Sequence, residues 1–361
     1  MSSTADEIRQ RVHGCLFGGA LGNALGAPVE ATRSWRKIAA AHGPSAPSQL
    51  AYAYPPPAQI TSDIQMTLFV AEGMIRAVQR YDNRGLCDPV GVIRGALMRW
   101  CSTQVPNLEL PFLSTGGRLV QEPRLHVRRA PGTTNLAVLE AMVTGRKHPE
   151  RPAPNNSKGC GALTRSAPIG LGCNSAEIAF SMAFESASDT HGHPGGCLAA
   201  AYFSVVIQRL TAGETLPQAM SRADDLLAGK RGYEEIAAAV SAARALASSG
   251  PPGPDEVETL GQGWVAAEAL AIALACALSA EGSRPQAICD AMWRSVLHGG
   301  ASASTGCLAG QLLGATHGMA CLPAHWLAQL ELRDVIERIA EDFFRSTHLA
   351  EILDVEAYPT H

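Results

Sequence analysis

The 361-residue sequence predicts an all-α protein. Three observations carry that reading. Apolar residues recur at intervals of three and four along most of the chain, alanine is abundant within those stretches, and sustained apolar/polar alternation of the strand type is scarce. Alanine at helix–helix contacts lets backbones approach one another closely, and a chain of this length can bury a substantial core. About a dozen helices in one domain are expected, because no internal repeat and no clean boundary interrupts the pattern.

The spacing places the helices in order. The first clear one spans 64–81, followed by 89–102 and 134–144. A long connection at 35–60, containing Pro55-Pro56-Pro57, precedes them, and a second at 146–174 is rich in Gly, Asn, Ser and Pro. Connections this long in a compact domain are often functional. Helices at 194–210, 216–227 and 233–248 come next. Gly250-Pro251-Pro252-Gly253-Pro254 breaks the pattern before 265–279, 285–297, 304–314 and 327–344. The window 265–278 is the most apolar, yet it contains Glu268 and is too short to span a bilayer, so it reads as a buried core helix.

Bulk properties narrow the function classes. A formal charge of −4 and the lack of a long basic run argue against nucleic acid. Arg124, Arg128 and Arg129 read as a small solvated cluster. Ten cysteines are present, none in a C-x-x-C pair and several inside Ala/Leu-rich runs. That usage fits buried thiols in a reducing compartment better than disulfides or zinc. The N-terminal residues lack a charged region followed by an apolar stretch, so a soluble, cytoplasmic protein without a membrane partner is expected. Oligomeric state is not legible.

Five segments stand out by glycine and polar content. They are 14–30 (GCLFGGALGNALGAPVE), Thr61-Ser62-Asp63-Ile64-Gln65-Met66-Thr67-Leu68, 155–171 (NNSKGCGALTRSAPIGL), Thr190-His191-Gly192-His193-Pro194, and 298–318 (HGGASASTGCLAGQLLGATHG). Taken together and in this order, they resemble the ADP-ribosylglycohydrolase family, which includes the dinitrogenase-reductase-activating glycohydrolases. Arg129-Ala130-Pro131-Gly132-Thr133, Gly263-Trp264 with Glu268, and 330–335 extend the resemblance over nearly the whole chain. It implies an all-α, single-domain bundle with a cleft between helix ends.

The resemblance also implies two Mg²⁺ ions, held by a Thr-Asp-Asp run and a later Asp-x-Asp-Thr/Ser. Magnesium needs oxygen ligands, and a pair of ions needs several carboxylates. Here the first group reads Thr61, Ser62, Asp63, and the second reads Ala301, Ala303, Ser304. Asn23 stands where a further aspartate is usual. Asp63 alone faces the work of about four carboxylates, so no cofactor is expected beyond at most one weakly bound Mg²⁺. Asn23, Ser62 and Ile64 depart from the pattern without being alanines, which reads as drift or repurposing of the site.

The residues that would grip substrate are better kept. The resemblance places Ser157, Gly159, Cys160 and Gly161 in a loop whose backbone N–H groups approach ribose or diphosphate, with His191, Gly300, Ser302 and Ser304 as further binding positions. Thr164 stands where Met is commoner, before a retained Arg165. Glu30 matches an acidic loop position beside the scissile ribose. His191 and His193 read as helix-capping and packing residues rather than metal ligands, His298 as a hydrogen-bonded structural histidine, and Trp264 as core rather than a platform for adenine. Cys160 reads as a backbone-geometry position rather than a nucleophile.

Two functions follow as expectations. In the first, Asp63 and Glu30 hydrolyse the N-ribosyl bond of an ADP-ribosyl conjugate or related nucleotide-sugar metabolite without the binuclear centre. In the second, the scaffold is a pseudoenzyme that binds ADP-ribose, NAD or an ADP-ribosylated partner without turnover. A structural protein with a vestigial cleft is a third reading.

Overall fold

A computed structural model describes residues 4–110, 116–145 and 151–360. The start of the predicted 146–174 connection, residues 146–150, lies outside the described residues. Within them the chain is helical, with two isolated β-bridges and no strand. The helices are α1 (Ala5–Gly26), α2 (Trp35–His42), α3 (Ser62–Arg84), α4 (Pro89–Gln104), α5 (Thr133–Val143), α6 (Ala167–Gly172), α7 (Ala176–Ser188) and α8 (Pro194–Thr211). They continue as α9 (Leu216–Leu227), α10 (Glu234–Ala247), α11 (Pro254–Glu258), α12 (Ala266–Leu278), α13 (Pro285–Val296), α14 (Ser302–His317), α15 (Ala324–Leu327) and α16 (Arg333–Leu349).

The ten predicted helices are present. Two long ones were not predicted. α1 begins with a Thr4–Glu7 capping box, but its second half reads in sequence as a glycine motif, because glycine is a poor helix former in isolation. α7 follows the polar connection and starts at Ser175, whose hydroxyl accepts the Ile178 N–H. The predicted 35–60 connection also contains α2.

The centre of the molecule is the antiparallel pair α1/α14. Gly14, Gly18, Gly22 and Gly26 recur every fourth residue, on one face of α1. A Cβ added at any of them would overlap the carbonyl oxygen of Gly314, Gly310, Gly306 or Ser302, respectively. The reverse holds for Gly306, Gly310 and Gly314 against Gly22, Gly18 and Gly14. The two backbones are therefore in direct contact, an arrangement in which Cα–H···O contacts and dispersion act over the length of the seam. α12 and α13 pack on the outer side of α14, α16 and α3 flank α1, and α8 joins α6, α7 and α9 to α12.

One hydrophobic cluster runs from Val12 to Tyr358 and includes Trp100, Trp293 and Trp326, all buried. Eight of the ten cysteines are buried and all are free; Cys87 and Cys160 are half-buried. The predicted arginine cluster is not merely solvated. Arg124 pairs with Glu122 and Asp334, and Arg129 with Glu331. Among the described residues, no helix is long and apolar enough to cross a membrane.

The seam gives a direct test. Gly310→Ala pushes a methyl into the Gly18 carbonyl and should lower stability to urea by about 1–3 kcal/mol. Gly95→Ala, at a helical site with only the tip of Arg99 nearby, should raise it by about 0.5–1 kcal/mol.

Candidate active site

Because α1 and α14 run antiparallel, the end of α1 meets the start of α14. The first turns of α3, α5 and α14 open onto the same cleft, a cavity of about 310 Å³ lined by residues that include Asp63, Asn135 and Ser304. Three helix N-termini bring their partial positive charge to one place.

Asp63 lies in the first turn of α3, where the Thr61 side chain accepts its N–H. It is 9% exposed. The Ser304 hydroxyl donates to Oδ2 at 2.8 Å and the Thr164 hydroxyl to Oδ1 at 3.1 Å. Burial raises the carboxyl pKa, while the two hydroxyls and the charge of Arg165 draw it back. Thr164, the departure from Met noted in the sequence, thus gives Asp63 one of its donors.

Glu30 follows α1 in a short 3-10 turn (Glu30–Thr32). Its carboxylate accepts the Ala303 N–H in the first turn of α14 at 2.9 Å. Burial pushes its pKa up to about 7, the Ala303 N–H opposes that rise, and the nearby charge of Asp63 adds to it. Two carboxyls thus line one cleft, one held by two hydroxyls and the other titrating near neutrality.

The positions aligned with metal ligands are joined by neutral groups. The Asn23 amide donates to Thr61 Oγ1 at 2.8 Å and to the Ala303 carbonyl at 3.3 Å, and its oxygen accepts the Thr61 N–H at 2.7 Å. The Ser62 hydroxyl donates to the Ala130 carbonyl. Ala301 and Ala303 are buried methyls. Among the described residues, no three His, Cys, Asp or Glu side chains gather in a way that could hold a metal ion.

Gly159, Cys160, Gly161 and His191 line the cleft with the carboxyls and Ser304. The loop is tied down by Cys160 N–H to the Trp264 carbonyl and by Ala266 N–H to the Lys158 carbonyl. Burial pushes the Cys160 thiol up to about 12, so it stays protonated and is a poor nucleophile. Ser157 stands just behind, sharing a hydrogen bond of 3.0 Å with the Thr134 hydroxyl.

Three expected binding residues, Ser157, Gly300 and Ser302, do not line the cavity. Ser302 is fully buried and donates to the Val296 carbonyl at 2.9 Å. Gly300 packs against the Gln262 carbonyl, where a Cβ would overlap. Both shape the start of α14 from behind.

His193 Nδ1 accepts the Gly195 N–H and caps α8, while His191 faces the cleft. His298 bonds to the Thr305 hydroxyl at 2.8 Å, a structural role. Trp264 corrects the expectation of a core residue. It is 40% exposed and lines the cavity, because the tight Gln262-Gly263 turn beneath Glu268 swings it outward. Sequence reasoning named Thr133 only within the Arg129–Thr133 segment and missed Thr134 and Asn135, all in the first turn of α5. The available signal was their position directly after Arg129-Ala130-Pro131-Gly132.

Residues 4–352 match the family model described as ADP-ribosylglycohydrolase. A solved structure described as "ADP-ribosylglycohydrolase-related protein complex" is 22% identical, with a TM-score of 0.59, over 95% of this chain and 99% of that one. At that identity the likeness is one of fold. No curated protein matches the chain.

Thr164→Val removes a donor from a buried carboxylate and should cost about 1–3 kcal/mol. Losing that donor raises the folded-state pKa of Asp63 further. The cost falls on the ionised carboxylate, so it should be larger at about pH 8 than at about pH 4, shrinking as the carboxyl takes up a proton. Urea unfolding at the two pH values checks it.

Proposed function

The chain belongs to the ADP-ribosylglycohydrolase family, and on that premise we propose that its cleft hydrolyses the N-ribosyl bond of an ADP-ribosyl conjugate or a related nucleotide-sugar metabolite without a binuclear magnesium centre. The observation that carries this reading is a pair of carboxyls on one cleft with different donors: Asp63 accepts two hydroxyls, whereas Glu30 accepts one backbone N–H and is pushed up to about 7, burial raising both. Such pairs divide acid and base roles between two otherwise similar groups.

In this scheme Glu30, protonated at and below about pH 7, gives its proton to the departing nitrogen as the C1″–N bond breaks. The ribosyl centre gains positive charge, which the Asp63 carboxylate stabilises. Water adds to C1″ and loses its proton to Asp63, leaving ribose with a hydroxyl at C1″. The net reaction consumes one water and releases ADP-ribose and the free amine or amide.

Donor chemistry argues against the family's metal pair here. A pair of divalent ions asks for several charged oxygens. The residues aligned with those ligands offer Asp63, whose two oxygens already accept hydroxyls, with alanines and neutral groups elsewhere. They do not fit two magnesium ions. The same occupancy favours a second reading, in which the cleft holds ADP-ribose without turnover because Asp63 has little capacity left to take a proton from water.

The deciding experiment is release of ADP-ribose from ADP-ribosyl conjugates, with excess Mg²⁺ or with EDTA. Release that persists in EDTA and disappears in Asp63→Asn is the expected outcome. No release under either condition, with ADP-ribose still bound, establishes the second reading.

Two further results are expected. kcat/KM should fall as pH rises through about 7, where Glu30 loses its proton. Glu30→Gln should abolish that limb and cost about 10²–10⁴ in rate. The double variant Ala301→Asp, Ala303→Asp should gain several degrees of Tm on adding millimolar Mg²⁺, while the wild type does not respond.

A further inference from the structure

Apart from the cleft, α7, α8 and the turn after α9 enclose a second cavity of about 310 Å³, which shares no lining residue with the first. Its floor is hydrocarbon. Phe180 and Leu198 are buried and Phe184 is half-buried. Phe180 and Phe184 lie one turn apart on α7, so they present their rings to the same side. Ser181 lies on the wall, but its hydroxyl donates to the Glu177 carbonyl of its own helix at 3.0 Å. The floor therefore offers little hydrogen bonding to a sugar or a nucleobase, and it suits an apolar body.

The rim carries two cations, Lys230 and Arg231. They sit between Gly229 and Gly232, which hold φ values of 74° and 80°, in a turn closed by Lys230 N–H to the Leu227 carbonyl and Tyr233 N–H to the Lys230 carbonyl. Gly232 rests against Pro194, which fixes the turn beside the start of α8. Lys230 Nζ stands 5.4 Å from the centroid of the Phe180 ring. Among the described residues neither cation has an ion-pair partner. Glu185, at the edge of the cavity, already pairs with Arg151 at 3.1 Å. An apolar floor beneath two uncompensated cations complements an anion with a hydrocarbon body.

We infer that this cavity is a second binding site, for a small carboxylic acid with an aromatic body, and that its occupant acts on the cleft through Phe184. The ring of Phe184 belongs to both places. It lines the cavity, and it packs on the buried group formed by Ala162, Ala187, Cys197 and Ala200. Ala162 ends the 3-10 turn Cys160–Ala162, whose other two residues line the cleft. A ligand ring seated against Phe184 therefore bears on the turn from behind, because close-packed side chains pass a displacement to their neighbours. The inference holds whichever chemistry the cleft performs.

The test uses the full chain with ¹³C-labelled alanine methyls and the probe 3-phenylpropionate. A ligand of this size should bind with a Kd of about 1–5 mM. Its amide, the same body without charge, should bind about three- to tenfold more weakly, as two solvent-exposed ion pairs allow. The double variant Lys230→Gln, Arg231→Gln changes exposed side chains only, so it should fold and bind acid and amide alike. Ser181→Trp, at an exposed position on the wall, should fill the cavity and abolish binding of both. The Ala162 methyl, assigned with Ala162→Gly, should shift as the acid saturates the wild type and stay in place in Ser181→Trp. No saturable binding up to about 20 mM, equal affinity of the wild type for acid and amide, or undiminished binding to Ser181→Trp overturns the site. An Ala162 methyl that stays in place while the acid saturates overturns the action on the cleft.

Discussion

Direct backbone contact between α1 and α14 is the constraint on which the rest of the structure depends. Glycine at every fourth position of both helices removes the side chains that would hold the axes apart. The register of that contact sets where the two helices end relative to one another. Asn23, near the end of α1, reaches the Ala303 carbonyl at the start of α14, and Glu30, four residues beyond α1, reaches the Ala303 N–H. The candidate site is assembled at the open end of this seam.

At that end, hydrogen bonds stand where the family pattern has cations. A buried carboxylate needs compensation, and Asp63 takes it from two hydroxyls and the distant charge of Arg165. Asn23 uses both ends of its amide to join three chain segments that aspartates and metal would otherwise link. The result is a site whose remaining carboxyls differ in their donors, two hydroxyls on Asp63 and one backbone N–H on Glu30. That difference, rather than a Lewis acid, is what the proposed chemistry draws on.

The parts of the fold that bury an apolar stripe were legible in the sequence, because a stripe on a 3.6-residue period leaves a pattern. α1 was not, since its buried face is made of glycine, which carries no hydrophobic signal and argues against helix when read locally. Asp63 and Glu30 were legible through the motifs. The supporting groups were not. Asn135 and Thr164 matter through which atoms they turn towards Arg165 and Asp63, and nothing in one-dimensional spacing encodes that direction. Trp264 was misread as core because aromatic residues near apolar helices usually are buried, whereas here the turn at Gly263 exposes the ring.

The buried thiols have a further consequence. Cys15 and Cys307 adjoin seam glycines Gly14 and Gly306, and neither is exposed. A thiol reagent can reach them only when the two helices part. Their modification rates, compared with that of half-buried Cys87, measure how often the seam opens. The chain thus carries its own clock for the slowest breathing motion of its core, with no probe introduced.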